Sequence, residues 1–178
     1  MSTRTGTRLA TMALLALSAF ACSEAPPGPE QLTLPNLHRE QLPASVIQQL
    51  DALRNSLLQY QAFDVAENAG FDIELTPCME MRGKGGMGYH YGNSLLIDAV
   101  PDEMAPEALL YQPTPKGMQL VGVEFIVPFD QWTGSQPPVL FNQVMRPNYN
   151  FGLWTLHAWL FKENPKGVFA DWNPRVHC

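Results

Sequence analysis

The sequence predicts an α+β domain in which an N-terminal helix packs on an antiparallel β-sheet and one disulfide closes the fold. Three observations carry that expectation. Residues 43–69 repeat apolar side chains at helical spacing. Residues 87–161 break into short apolar or alternating runs separated by turn signals, with few helical patterns between them. Cys78 and Cys178 bracket that strand-rich stretch.

The chain opens with Arg4 and Arg8, followed by an uncharged apolar run over residues 9–21. That run is too short to span a bilayer and reads as a secretory signal peptide, residues 1–21. Ala19 and Ala21 place small residues at −3 and −1 of a cut before Cys22. Two processing routes fit. Cys22 at the junction suits a bacterial lipoprotein, whereas Ala19 and Phe20 depart from the usual lipobox and suit a plain signal-peptidase cut. Cys22 has no partner once Cys78 and Cys178 pair, which favours lipidation. Ser23 after it fits an outer-membrane anchor. Residues 22–42 are rich in Pro and polar groups and read as a tether. Residues 43–178 then form one globular domain, large enough for its own core.

The 178 residues carry 11 basic and 17 acidic side chains. Removal of residues 1–21 leaves nine basic residues and a net charge of −8. No basic patch interleaved with aromatics occurs, so nucleic acid is not an expected partner. The expected partners are the membrane, through the lipid, and a small molecule or metal ion.

Over residues 43–69, Val46, Leu50, Leu53, Leu57 and Tyr60 make one apolar stripe, with Arg54, Asn55, Gln59 and Gln61 mostly off it. Pro43 suits the first turn and Gly70 the C-terminal stop. In an oxidising compartment Cys78 and Cys178 should pair. Closing a loop of about 100 residues corresponds to roughly 4–5 kcal/mol in the chain-entropy model. Strands are expected over 87–91, 95–99, 108–112, 118–127 and 151–161. Pro115-Lys116-Gly117 turns residues 108–127 into a hairpin. Residues 129–150, with Pro137, Pro138 and Pro147, read as a long irregular rim or lid.

The stretch GKGGMG, residues 83–88, matches the dinucleotide pattern G-x-G-x-x-G in form only. That fingerprint needs a strand before it and a helix after it. Here Tyr89-His90-Tyr91 follows, which favours strand, and no Gly-Lys-Ser/Thr occurs. The glycines read as a flexible loop that leads His90 into a strand.

Strand parity singles out the candidate site. Val121, Val123, Phe125 and Val127 should share one face, and Glu124 the other with Leu120 and Ile126. A carboxylate inside so apolar a strand needs a partner if its face is covered. His157 sits in an almost wholly apolar run, sharing a face with Leu153, Trp159 and Phe161. His90, Glu124 and His157 on one sheet would be the ligand set of a mononuclear divalent-metal site with open positions, for Zn, Fe or Cu. They would equally serve as acid/base groups without a metal. The ordinary alternative is a set of buried side chains satisfied by backbone. Tyr89 and Tyr91 face away from His90, and His38 and His177 read as exposed bystanders. Trp132, Trp154, Trp159, Trp172, Phe151 and Phe169 crowd the last third. Some could line a cleft for an apolar or sugar-like ligand, with Asn142, Asn148, Asn150 and Asn173 as polar contacts.

Several runs taken together resemble a family of bacterial exported proteins with no assigned activity. They are Cys78, residues 87–93 (MGYHYGN), 106–111 (PEALLY), 121–125 (VGVEF), 156–161 (LHAWLF), 164–169 (NPKGVF), 172–174 (WNP) and Cys178. The resemblance covers nearly the whole folded part. It implies an exported, single-domain protein with one disulfide, and it carries no chemistry across. The loop Arg82-Gly83-Lys84 is more basic than the family's. Three functions follow as expectations: an envelope lipoprotein that binds a small molecule or metal ion, an enzyme built on His90, Glu124 and His157, or a structural lipoprotein without a pocket.

Overall fold

A computed structural model describes Met1 and residues 38–178. The expected signal peptide beyond Met1, Cys22 and all but the last five residues of the expected tether lie outside the described residues. Described structure begins before Pro43: a 3-10 turn at Arg39–Gln41 leads to Leu42, which is buried in the core. Among the described residues no helix is long and apolar enough to cross a membrane.

The described residues are mostly antiparallel sheet, with two α-helices and one disulfide. The single helix expected over 43–69 is instead two. α1 (Ala44–Ser56) buries Val46, Leu50 and Leu53, a 3-10 turn covers Leu58–Gln61, and α2 (Phe63–Asn68) follows. The interruption comes from tertiary contacts. The Tyr111 hydroxyl donates to the Tyr60 carbonyl at 2.6 Å. Phe63 meets the rings of Tyr91 and Tyr111 edge-on, at 4.7 and 4.9 Å. These aromatic contacts outweigh a helix propensity worth tenths of a kcal/mol per residue. Gly70 does end the helical segment, at φ 97°, a conformation that suits glycine.

β1 (Ile73–Met81), β2 (Gly85–Gly92), β3 (Ala108–Thr114) and β4 (Gly117–Pro128) follow in order. β5 (Val139–Leu140), β6 (Gln143–Val144), β7 (Arg146–Asn148) and β8 (Leu153–Ala158) complete the set. Six strands form one sheet in the order β1-β2-β3-β4-β8-β7, and β5 pairs with β6 separately. β3 and β4 form the expected hairpin, with Thr114 opposite Gly117.

Other expectations are corrected. β1 has no counterpart among the expected strands, because Pro77 interrupts its pattern; a strand at the sheet's edge tolerates that proline. Residues 95–99 form no strand. Asn93, Asp98 and Asp102 side chains each accept a bond from the backbone N–H two residues on, so the segment turns repeatedly. Residues 129–150 are not wholly irregular, since they hold β5, β6 and β7. The glycine stretch is a turn and the start of β2 rather than a flexible loop. Gly86 and Asn173 exchange backbone hydrogen bonds at 3.1 and 3.0 Å. A Cβ on Gly85 would lie 2.2 Å from the Asn173 carbonyl oxygen, so glycine there admits the C-terminal segment. Cys78 and Cys178 are bonded, with Cα atoms 5.7 Å apart, and fasten that segment to β1.

The main core joins Leu109, Tyr111, Val123, Phe125 and Val127 to Val46, Leu50 and Leu53. Parity along β4 changes at a register shift: Leu110 pairs with Gly122, but Tyr111 pairs with Leu120. Val121 is the extra residue of this bulge, and the alternation slips by one. Leu120 therefore lies in the main core rather than beside Glu124. Val121 clusters on the opposite side with Leu110, Trp159 and Val176.

Candidate metal centre

The strand register delivers three ionisable side chains to one place. Glu124 on β4 pairs directly with His157 on β8. Ala108 on β3 pairs with Glu124 on one side and with Gly92 on the other. His90, two residues before Gly92, lies one row along and must reach across β3. The small side chain of Ala108 leaves that route open.

The three groups converge. His90 Nε2 lies 3.3 Å from His157 Nε2. Glu124 Oε2 lies 3.5 Å from His90 Nε2, and Glu124 Oε1 lies 3.6 Å from His157 Nε2. All three residues are buried. Donors held about 2.0–2.2 Å from one ion at tetrahedral angles lie about 3.3–3.6 Å apart. The three shortest contacts have that length but use both carboxylate oxygens, and with one ligand atom per residue the set lies within 4.8 Å. On the far side of its ring, His90 Nδ1 lies 2.7 Å from Thr76 Oγ1. A proton on Nδ1 donated to that hydroxyl would leave Nε2 as a lone-pair donor, the usual outer support of a ligating imidazole.

Burial dominates the electrostatics. It lowers His90 to about 3, the His157 ring adding to the effect and a backbone bond at Gly88 opposing it. It lowers His157 to about 3 as well, with the charge of Arg146 adding to it. Glu124 is pushed up to about 8 by burial first, then by Asp171 and Glu107. At neutral pH and without a metal ion, the triad is therefore two neutral imidazoles and a protonated carboxyl, not an ion pair. A bound cation would reverse this balance, displacing the carboxyl proton and leaving three lone-pair donors.

The triad forms part of the wall of a cavity of about 660 Å³. Phe151, Trp172, Asn148 and Asn150 line the same space, so the aromatic cleft and the His/Glu/His set, read separately from the sequence, share one cavity. Tyr149 and Phe151 line it and are strongly exposed. Trp132, Trp154, Trp159 and Phe169 lie outside it, as do Asn142 and Asn173. Phe141 and Asn142, at φ 52° and 59°, make the turn between β5 and β6. Asn173 is fully buried and binds the carbonyls of Lys162 and Glu163. Trp159 donates to the Ala170 carbonyl at 2.6 Å. Phe161, beyond the end of β8, lies under the Arg54 guanidinium rather than beside His157. His177 is an exposed partner of Glu80, and His38 begins the first 3-10 turn.

Sequence reading missed Thr76, Met79 and Met81 on β1, and Asp171, which pairs with Arg146 beside the cavity. The run Leu75-Thr76-Pro77-Cys78-Met79 holds a strand signal only if Pro77 is read as an edge-strand residue. No family model, no curated protein and no solved structure matches this chain.

Proposed function

We propose that this protein is an exported envelope protein that binds one divalent transition-metal ion through His90, Glu124 and His157. One observation carries the reading: two imidazole nitrogens and a carboxylate converge, buried, in the wall of a cavity, with one ligand atom from each residue within 4.8 Å of the others. Two nitrogens and one carboxylate suit Zn, Fe or Cu better than Mg or Ca, which favour all-oxygen sets. The Cys78–Cys178 bond supports folding outside the cytoplasm. The apolar run over residues 9–21 and Cys22 support export and a lipid anchor. The reading of α1 as the cover of the sheet rests on Val46, Leu50 and Leu53 sharing a core with Leu109 and Phe125.

Metal analysis tests the centre. After loading with zinc and exhaustive dialysis, the protein is expected to retain about one equivalent. Glu124→Gln, close in size and shape, should abolish retention while leaving far-ultraviolet circular dichroism unchanged, and His157→Ala should lower it. Retention well below one equivalent for zinc, iron and copper alike would sink the proposal. So would full retention by Glu124→Gln.

A second reading, an enzyme using the same centre, is favoured by the cavity that reaches the triad. An ion with three protein ligands keeps an exchangeable position where water or substrate can bind. Ester hydrolysis by the zinc-loaded protein, absent from Glu124→Gln, would support it.

A further inference from the structure

We infer that the cavity takes a small apolar molecule bearing a single negative charge, with its anionic group at the ion. The inference rests on the metal reading above and adds the chemical class of the ligand.

Charge is the first argument. A divalent ion held by one carboxylate and two neutral imidazoles carries a net charge of +1. Among the described residues, the only other charged group lining the cavity is Asp171, and it is paired with Arg146. That pair cancels and leaves the centre's positive charge in place. A buried net charge is costly unless a counter-charge accompanies it. A monoanion supplies it. A cationic amine would be repelled, and a neutral molecule would leave the charge unbalanced.

The walls make the second argument. Leu75, Met79, Met87, Ile97, Ile126 and Trp172 line the space, and neither lysine nor arginine does. A phosphate or sulfate would find one cation and no second donor of positive charge. An aromatic or branched aliphatic body would instead displace water from apolar surface, which favours binding. The volume of about 660 Å³ lies within the range typical of small-ligand sites. Asn148 and Asn150, also in the lining, offer neutral hydrogen bonds. One charged end and an apolar remainder is the ligand whose chemistry matches both parts of this cavity.

Isothermal titration of the zinc-loaded protein with 2-naphthoate and with 2-naphthamide, nearly identical in shape, separates charge from apolar fit. Naphthoate is expected to bind at least about tenfold tighter, and the preference should vanish in the zinc-free protein. Equal affinity, a preference for the amide, or no binding of either compound by protein that has retained zinc overturns the inference and leaves the metal reading standing. Protein that retains no zinc overturns both.

Discussion

The two faces of the central sheet are built from the same strands, one residue out of step, and they are put to opposite uses. On one face Leu109, Tyr111, Val123, Phe125 and Val127 are almost completely buried. Their one polar side-chain group, the Tyr111 hydroxyl, is satisfied by Tyr60. On the other, Ala108, Glu124, His90 and His157 are nearly as inaccessible, between 0% and 8% exposed. Burial alone therefore does not distinguish them; chemistry does. The first face buries side chains with no charge to lose. The second buries three ionisable groups whose charged forms are all disfavoured. Buried polar sets of this kind add little to stability compared with apolar packing. The first face carries the larger apolar core, the second adds the smaller cluster of Leu110, Val121, Trp159 and Val176, and the ionisable triad is a feature the fold tolerates.

The sharpest way to break that contrast is to damage the first face alone. Phe125 is 1% exposed and packs its ring 5.5 Å from that of Phe141. Phe125→Ala should cost about 3–5 kcal/mol of stability in chemical denaturation. Zinc retention by the fraction that stays folded should not change. A loss of metal without a loss of stability would mean that the faces are not separate. The reverse perturbation is Thr76→Val, which keeps the shape of the side chain and removes the hydroxyl 2.7 Å from His90 Nδ1. Metal affinity should fall by about 10–100-fold, with little change in the denaturation midpoint of the metal-free protein. Unchanged affinity would show that Thr76 does not set the orientation of His90.

The two faces are unequally legible in the sequence. Glu124 and His157 stand out because each is the lone ionisable residue of an apolar strand, and the alternation of β8 places Leu153 and His157 together correctly. Their pairing across β4 and β8 is open to conjecture but not to deduction, since register is fixed by contacts along the whole sheet. The bulge at Val121 shows why: one extra residue moves Leu120 into the core and Val121 out of it, and the only local sign in LVGVEF is Gly122, which hints at a bulge without fixing its position. The break between α1 and α2 is hidden for a similar reason, because its cause, Tyr111, lies 51 residues from Tyr60. Thr76 escapes because Pro77 conceals its strand. Local chemistry is readable, whereas the non-local geometry that assembles it is not.

The last expected effect is in the pH dependence of the metal-free protein, where the burial of ionisable groups on and beside the second face should be visible directly. His90 and His157 titrate near 3 in the folded state and near 6.5 when unfolded. Between those values the unfolded chain holds more protons, so stability rises with pH up to about 6.5. Glu124 and Glu107 behave oppositely. Glu107 is pushed up to about 8 by burial, against hydrogen bonds that include the Ile126 N–H at 2.8 Å and with Asp98 and Asp102 adding to the rise. From about 4.5 to 8 the folded state holds the protons that the unfolded carboxylates have lost, so stability falls. The two trends oppose each other between 4.5 and 6.5, giving a plateau there and a decline above it of up to about 1.4 kcal/mol per pH unit for each of the two carboxylates. Glu107→Gln keeps an oxygen to accept from Ile126 and cannot ionise. It should therefore flatten the decline between pH 6.5 and 8 and leave the acid limb alone. Saturating zinc should reverse the remaining decline, because an ion binds the deprotonated form of Glu124. A metal-free protein whose stability is level from pH 6.5 to 8 would show that both carboxylates are ionised in the fold, and the second face would then be less dry than its geometry implies.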